Sequence, residues 1–283
     1  MSQPVCPPEE PLILAAVRAA LAEDVGAGDA TAHLVPDRPA RARLICREAA
    51  VLCGRPWFDA VYRALDAGVH VRWHAGDGEA LTPGQTVCEI EGSAPAILTG
   101  ERTALNFLQT LSGTATLTRR YVDAVAGSRA RIFDTRKTLP GLRAAQKYAV
   151  RCGGGNQRMG LFDAMLIKEN HIAAAGSLTA AVLAARRCHP ELPLQVEVET
   201  REQLDEALGL DVRSVLLDNF DLAQLIRAVA LRDQRGATTE LEASGGIALD
   251  TVAQIAATGV DRISVGSLTK HVQAVDFSLR IVA

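Results

Sequence analysis

The second half of the chain, from Arg131 onward, alternates short apolar runs with longer segments of helical periodicity. The apolar runs predict strands and the segments between them predict helices, with later repeats about every 20–25 residues. Predicted strands cover 131–134, 164–168, 194–199, 214–219, 239–245 and 262–267, and predicted helices cover roughly 142–151, 177–188, 201–208, 221–231 and 249–258. Successive βα units of this kind predict a parallel α/β barrel.

The first half of the chain lacks this regular alternation. Helical spacing of apolar residues predicts a helix over 11–23, and apolar or alternating runs predict strands within 40–53 and 68–99. A long helix is predicted from Glu101 to about Val125, with Gly113 interrupting its apolar pattern. This half therefore predicts a small α+β domain ahead of the barrel.

Each strand predicted in the second half ends in polar or small residues. In an α/β barrel, the carboxyl ends of the strands meet at one rim, and that rim holds the active site. The residues expected there are Asp134 to Lys137, Lys168 to Asn170, Glu197, Glu199, Asp218, Asn219, Ser244 to Gly246, and Gly266 with Ser267. Six such strand ends favour a functional site over the alternative that polar residues merely terminate the strands.

Positive charge is concentrated between Arg131 and Lys168. This window holds eight cations and two acids, so it carries +6 in a chain of net charge −3 and leaves −9 elsewhere. Three of the four lysines fall within it. Such a patch in an acidic protein favours a small anionic ligand over a nucleic acid. Lys137 and Lys168 end strands and are interpreted as functional, whereas Lys147 is interpreted as a solvated helix position.

Two glycine motifs, Ser244-Gly245-Gly246 and Val265-Gly266-Ser267, end the last two predicted strands. Glycine lets backbone N–H groups approach an anion, and loops at these positions of a barrel commonly hold a phosphate. A third motif, Gly153-Gly154-Gly155, follows a helix. It is either a C-terminal cap with a turn or a hinge that folds residues 156–158 over a ligand.

Glu197 and Asp218 end neighbouring strands. Carboxylates that only accept hydrogen bonds suit ribose hydroxyls or a divalent metal, with magnesium entering on the phosphates of a substrate. A general acid–base pair and a purely structural pairing with nearby cations are the alternatives. Together with the phosphate loops and the cations, the carboxylates indicate a phosphorylated sugar bound beside a polycarboxylate.

The composition argues against several other classes of protein. No run approaches 18 apolar residues, and the first ten residues lack the pattern of a secretory signal. An aromatic content of 4% disfavours stacking on single-stranded nucleic acid. The six cysteines form no C-x-x-C pair, so we expect free thiols in a cytoplasmic protein, and a nucleophilic role for Cys152 is not favoured.

Several long segments resemble the quinolinate phosphoribosyltransferase family. They are EDVGAGDAT, GERTALNFLQTLSGTAT, DTRKTLPGLRAAQKYAV, GGGNQRMGL, LIKENHI, VEVE, LLDNF, SGGI and VGSLTKHV, in this order along the chain. The chain departs from the family in having one residue fewer between the glycine triplet and Asn156. It also has Gln157 where many members have His, and Gln157 is assigned no catalytic role.

The resemblance implies an α+β domain followed by an α/β domain. The first is an N-terminal open-faced sandwich over residues 1–113, and the second is an incompletely closed α/β barrel over 114–271. A tail of residues 272–283 is expected to pack on the sandwich. The resemblance also implies a homodimer, with Arg102 reaching into the active site of the partner. From composition and charge we expect a cytoplasmic protein that binds neither nucleic acid nor membrane.

The resemblance further implies transfer of a phosphoribosyl group from phosphoribosyl pyrophosphate to quinolinate with decarboxylation. Magnesium would enter with the pyrophosphate substrate, and no organic cofactor is needed. The residues implied to bind substrate are Arg102, Thr135, Arg136, Lys137, Arg158, Lys168, Glu197, Asp218, Ser244, Gly245, Gly246, Val265, Gly266 and Ser267. Lys137, Lys168, Glu197 and Asp218 are the implied catalytic residues, with Glu197 and Asp218 also on the metal.

Two other enzymes remain as alternatives. A barrel aldolase would use Lys168 to form a Schiff base with a carbonyl substrate. A phosphoribosyltransferase paralogue linked to molybdenum transport is the closer alternative, and the KENH run after Ile167 together with the dense cations disfavours it.

Overall fold

The computed structural model describes residues 5–157 and 159–282, except for the side chain of His33. The helices are α1 Glu10–Asp24, α2 Arg55–Leu65, α3 Ala94–Ala124, α4 Arg143–Cys152, α5 Glu169–Ala175, α6 Leu178–Cys188, α7 Arg201–Gly209, α8 Leu222–Gln234, α9 Val252–Ala257 and α10 Ser267–Lys270, with a 3-10 helix at Ala32–Leu34. The strands are β1 Pro39–Cys46, β2 Ala50–Val51, β3 His70–Trp73, β4 Ala80–Leu81, β5 Thr86–Ser93, β6 Arg131–Phe133, β7 Met165–Ile167, β8 Leu194–Val198, β9 Ser214–Asp218, β10 Glu240–Ser244, β11 Arg262–Ser264 and β12 Phe277–Val282.

The chain forms two compact units. The first contains residues 1–119, 138–154 and 268–283, and the second contains residues 120–137 and 155–267. Helix α3 begins in the first unit, and its residues 120–124 belong to the second. The division of the chain at residue 113 and the packing of a C-terminal tail on the first domain stay predictions.

An antiparallel sheet in the order β12-β1-β5-β3 forms the centre of the first unit. Burial alternates along β1, where Ala42, Leu44 and Cys46 are buried, so the sheet has one covered face. Helix α2 contributes Trp57 and Phe58 to the core beneath it. This arrangement is the open-faced sandwich that the resemblance implied.

Helix α3 continues through Gly113, where the sequence pattern indicated an interruption. A side chain at this position has no room, because a Cβ atom on Gly113 would lie 2.1 Å from the carbonyl oxygen of Gln273. Val275 then donates its backbone N–H to the oxygen of Gln109 over 3.1 Å. The glycine therefore lets the C-terminal segment run against α3 before it enters the sheet as β12.

Helix α4 was predicted as a helix of the barrel, yet it belongs to the first unit. Ala145, Tyr148 and Ala149 are buried in the core of that unit. The Tyr148 hydroxyl donates to Asp77 Oδ2 over 2.9 Å, and its ring lies 5.7 Å from that of Trp57. Because α4 buries an apolar face in this core, it is not one of the helices that alternate with strands in the second unit.

The second unit contains a six-stranded sheet in the order β6-β11-β10-β9-β8-β7. Every ladder in it is parallel. Residues 214–217 of β9 are all buried, as expected for a strand covered on both faces. Within the described residues, no ladder joins the end strands β6 and β7 to each other. The unit is an incompletely closed α/β barrel, as the resemblance implied.

Asn156 lies along the outer edge of β6, where it forms a parallel bridge with Phe133. Its backbone N–H donates to Ile132 over 2.8 Å, and its oxygen accepts from the N–H of Asp134 over 3.1 Å. The segment after the glycine triplet therefore covers part of the free edge of β6, the end strand of the sheet.

In the described residues, no helix is long and apolar enough to cross a bilayer.

Candidate active site

The carboxyl ends of the parallel strands bring together residues that are far apart in sequence. Asp218 and Ser244 are register partners on β9 and β10, and Phe133 pairs with Ser264 on β6 and β11. The sheet thereby gathers most of the predicted site residues at one edge of the second unit. They are Thr135, Arg136, Lys137, Lys168, Glu197, Asp218, Ser244, Gly245, Gly246, Val265, Gly266 and Ser267.

The other two predicted site residues are Arg102 and Arg158. Arg102 is an exposed residue of α3 in the first unit. Arg158 lies outside the described residues. Both assignments stay predictions.

Lys168 and Glu197 form an ion pair at the ends of β7 and β8. The ammonium Nζ lies 3.0 Å from Oε1 and 2.7 Å from Oε2 of the carboxylate. The Glu197 side chain is only 10% exposed, whereas that of Lys168 is 45% exposed. The lysine of this pair is therefore accessible to a ligand, whereas the carboxylate that holds it is largely shielded from water.

The backbone of Lys168 is held by a short helix that the periodicity did not predict. Lys168 is the N-cap of α5, and its N–H donates to His171 Nδ1 over 3.0 Å. An acceptor nitrogen carries no proton, so His171 keeps its ring proton on Nε2 while this bond lasts. His171 sits in the motif LIKENHI, three residues after Lys168, which is the position from which a side chain can accept the N–H of the N-cap residue.

Lys137 lies against the second glycine motif. A Cβ atom placed on Gly266 would be 3.3 Å from Lys137 Cδ, 3.6 Å from Thr135 Oγ1 and 3.9 Å from Lys137 Nζ. The Thr135 hydroxyl also accepts the backbone N–H of Lys137 over 3.1 Å. An ammonium group, a hydroxyl and a glycine backbone thus lie within one small volume, which suits an anionic oxygen.

Asp218 and the first glycine motif are connected through Asn219. The Asn219 amide nitrogen donates to Asp218 Oδ2 over 2.8 Å, and its backbone N–H donates to Ser244 over 2.9 Å. Gly245 has φ +102°, and a Cβ atom there would lie 2.1 Å from Asn219 Oδ1. Position 245 therefore requires glycine on two grounds, backbone conformation and space. The sequence placed Asn219 at the rim but indicated no chemical role for it.

The glycine triplet after α4 acts as a helix end. Gly153 is the C-cap residue, and Gly154 has φ +89°. Arg119 Nε donates to the Gly153 oxygen over 3.0 Å, which satisfies a carbonyl at the end of the helix. Of the two interpretations given above, the cap is confirmed. A role of residues 156–158 over a ligand stays a prediction.

Part of the cationic window does not lie at the carboxyl ends of the strands. Arg131 begins β6, at the opposite end of the strand, and pairs there with Glu240. Arg143, Lys147 and Arg151 belong to α4, in the first unit. The interpretation of Lys147 as a solvated position is wrong, because only 1% of the residue is exposed. The net charge of the window thus overstated the charge at the strand ends.

Glu197 and Asp218 are the predicted metal ligands at this edge. Within the described residues, no group of three or more His, Cys, Asp and Glu side chains could hold an ion. Glu197 and Asp218 supply hard oxygen donors, the chemistry that magnesium prefers when it keeps several waters and substrate phosphates. The donor set therefore fits magnesium carried by a substrate, and the assignment stays a prediction.

The barrel and its charged edge, together with the sandwich, define the class of the protein, an α/β-barrel protein with an incompletely closed barrel and an added antiparallel sheet. Models of the N- and C-terminal domains of quinolinate phosphoribosyl transferase match residues 29–112 and 114–280. The chain is 47% identical over 242 residues to nicotinate-nucleotide pyrophosphorylase [carboxylating] of Mycobacterium leprae, covering 83% of this chain and 84% of that protein.

Other comparisons agree with these matches. A probable nicotinate-nucleotide pyrophosphorylase [carboxylating] of Synechocystis is 42% identical, with 93% of this chain and 90% of that protein covered. The solved nicotinate-nucleotide pyrophosphorylase of Francisella tularensis has a TM-score of 0.95 and 41% identity, with both chains covered completely. The chain belongs to the quinolinate phosphoribosyltransferase family.

Proposed function

We propose that the protein transfers the phosphoribosyl group of phosphoribosyl pyrophosphate to quinolinate. The products are nicotinate mononucleotide, CO2 and pyrophosphate, in the de novo synthesis of NAD in the cytoplasm. The observation that carries the proposal is the position of two lysines at one edge of one sheet. Lys137 lies beside Gly266, and Lys168 is held by Glu197. Membership of the family and the printed names of the relatives support the same reaction.

The main task of such an enzyme is to bring two anions together. A dicarboxylate and a pyrophosphate ester repel each other in water, so positive charge at the site lowers the free energy of their encounter. Lys137 and Lys168 act as point charges between the two substrates. Arg136 and Arg158 act as planar forks for the quinolinate carboxylates, which fixes the orientation of the ring.

The phosphoribosyl group binds at the ends of β8 to β11, which lie between β6 and β7 in the sheet. The loops Ser244-Gly245-Gly246 and Val265-Gly266-Ser267 hold the 5′-phosphate through backbone N–H groups. Glu197 and Asp218 accept hydrogen bonds from the ribose hydroxyls. When bound with the substrate, magnesium supplies charge compensation for the leaving pyrophosphate.

The reaction has two covalent stages. The C1–O bond to pyrophosphate breaks as the quinolinate nitrogen donates its electron pair to C1, which has oxocarbenium character. The ring nitrogen becomes cationic, so the bond from C2 to its carboxylate can break, with the electron pair staying at C2. CO2 leaves, and C2 takes up a proton. The role of the protein in this stage is to hold the ring and to stabilise negative charge, and the scheme uses no organic cofactor.

We further propose that the working form is a homodimer. Arg102, exposed on α3, then adds its guanidinium to the quinolinate site of the partner. The exposed position of this arginine on its own unit supports a role outside that unit.

The geometry disfavours a Schiff-base mechanism at Lys168. An ammonium group that donates to both oxygens of Glu197 has no free electron pair with which to attack a carbonyl. Borohydride trapping of a carbonyl compound on this residue would contradict the proposed function and favour an aldolase.

The direct test is to incubate the protein with quinolinate, phosphoribosyl pyrophosphate and magnesium and to measure nicotinate mononucleotide and CO2 in equal amounts. Lys168→Met is expected to lower kcat/KM by at least about 30-fold, because loss of such a charge contact costs about 2–5 kcal/mol. Lys270→Met is the matched control, because Lys270 is an exposed lysine of the first unit, and it should retain activity. Absence of nicotinate mononucleotide with the unmodified protein would refute the proposal.

A further inference from the structure

Asn219 has an unusual backbone conformation directly after β9. Its φ is +56°, and among the described residues only Asp211 also has a positive φ without being glycine. The left-handed region is unfavourable for residues with a Cβ atom, although Asn tolerates it better than most. Such conformations persist where the surrounding contacts require them, often at functional sites. The contacts of Asn219 are therefore informative.

Three polar groups of Asn219, namely its side-chain nitrogen, its side-chain oxygen and its backbone N–H, lie against residues of the proposed phosphoribosyl site. The side-chain nitrogen donates to Asp218 Oδ2 over 2.8 Å, and the backbone N–H donates to the Ser244 oxygen over 2.9 Å. The side-chain oxygen lies where a Cβ atom on Gly245 would be only 2.1 Å away. One planar amide thus separates a carboxylate from a glycine loop.

We propose that Asn219 is a positioning residue that sets the spacing between the Asp218 carboxylate and the loop Ser244-Gly245-Gly246. This inference rests on the proposed function, in which Asp218 binds ribose hydroxyls and the loop binds the 5′-phosphate. A ribose 5-phosphate group must reach both at once. Asn219 acts on it through Asp218 and Gly245 and does not itself touch the reacting atoms.

The left-handed backbone and the side chain both contribute to this spacing. The backbone turns the chain so that the N–H of Asn219 extends the β9–β10 pairing by one bond, to the Ser244 oxygen. The same turn directs the amide toward Asp218. A hydrogen bond to a carboxylate restricts its rotation, so Asp218 Oδ1 stays available for a ligand in a defined direction.

A turn residue that mattered only for its backbone could be replaced by glycine without loss, because glycine adopts positive φ readily. Asn219→Gly is therefore the critical variant, since it keeps the conformation and removes the amide. Asn219→Asp keeps the shape of the side chain but replaces the donor by a second carboxylate. Asp211→Gly is the matched control, because Asp211 has φ +50° in the same unit and is exposed.

Binding of ribose 5-phosphate, measured by calorimetry on the full-length protein, is the primary assay. We expect Asn219→Gly and Asn219→Asp to bind it about tenfold or more weakly, the effect of losing one hydrogen bond to a charged group. Steady-state kinetics should show a matching rise in KM for phosphoribosyl pyrophosphate and a KM for quinolinate within about twofold of the original. Asp211→Gly should leave all three constants unchanged.

Wild-type affinity for ribose 5-phosphate in Asn219→Gly would overturn the inference and leave a backbone role only. An equal rise in both KM values would also overturn it, because a general loss of structure affects both substrates. Failure of the unmodified protein to form nicotinate mononucleotide would instead refute the proposed function. The two failures are therefore distinguishable.

A double-mutant cycle tests the contact between the amide and the loop. In the unmodified protein, Gly245→Ala would place a methyl carbon 2.1 Å from Asn219 Oδ1, whereas without this side chain the next atom is the backbone nitrogen at 3.0 Å. Gly245→Ala should therefore weaken ribose 5-phosphate binding by a larger factor in the original background than in Asn219→Gly. Equal factors in the two backgrounds would contradict the proposed contact.

Discussion

Replacement of Gly266 by alanine should separate activity from stability. The glycine lies at the carboxyl edge of the barrel, where β11 ends beside the Thr135–Lys137 turn. The new methyl carbon would lie 3.3 Å from Lys137 Cδ, slightly under the 3.4 Å of an ordinary contact. Gly266 has no positive φ, so its backbone accepts a side chain without strain. The perturbation is therefore confined to one flexible lysine and to the space above one peptide group.

The distances set the expected magnitudes. A shortfall of about 0.1 Å against the end of a long side chain is relieved by a small rotation of Lys137, so the free energy of unfolding should change by less than about 0.5 kcal/mol. The same methyl group crowds the backbone N–H that we assign to the 5′-phosphate and moves the lysine ammonium away from it. Loss of one such contact to a charged group costs about 1.5–3 kcal/mol. The KM for phosphoribosyl pyrophosphate should therefore rise between about tenfold and about 150-fold.

Steady-state kinetics with each substrate varied in turn, together with the thermal midpoint, test this prediction. Gly209→Ala is the control, since the nearest atom to its new methyl carbon would be Arg235 Nη1 at 3.8 Å, and Gly209 lies at the end of α7. That variant should keep both KM values and lose no stability. An unchanged KM for phosphoribosyl pyrophosphate in Gly266→Ala would refute the reasoning. A fall in stability large enough to account for the lost activity would refute it as well.

Three further predictions follow from contacts elsewhere. Gly153→Ala should destabilise the protein by about 1–3 kcal/mol and lower its thermal midpoint, because the methyl carbon would lie 2.5 Å from the backbone oxygen of Ala115, and an unchanged midpoint would contradict this. Hydrogen bonds from two threonine hydroxyls lower the pKa of Asp29 from 3.8 to about 2, so its stabilising effect is present above pH 3.8 and is lost as the pH falls toward 2. The difference in thermal midpoint between the original protein and Asp29→Asn should shrink over that range, and a constant difference would argue against it. If Arg102 acts in the partner's site, mixing inactive Arg102→Ala and Lys168→Ala proteins should restore up to about one quarter of the activity, since half of the dimers would be mixed and each would hold one intact site. Mixed dimers that form and stay inactive would exclude a shared site.

The barrel strands were the most predictable part of the molecule. The runs expected at 194–199, 214–219 and 239–245 correspond to β8, β9 and β10 with ends that differ by one residue. Strands of a parallel sheet are covered on both faces, so they appear in the sequence as continuous apolar runs between polar ends. The positions of Lys168, Glu197 and Asp218 at strand ends followed from the same pattern.

Helix α5 and the true surroundings of the cations were not predictable in this way. Seven residues are too few to show a helical period, so α5 was missed. Lys147 is buried, and Arg131 pairs with Glu240 on a strand distant in sequence. A count of charge along the chain contains no such information.

The amino-acid sequence was sufficient to predict the fold class, the polar residues at the strand ends and the family resemblance. Each of these depends on local periodicity and on motifs that are continuous along the chain. Only the tertiary structure decided which groups touch. It paired Lys168 with Glu197, placed Lys137 against Gly266, and inserted the Asn219 amide between Asp218 and Gly245. These contacts join strands that are separated by tens of residues, and their distances depend on sheet register and backbone conformation, which residue spacing does not specify.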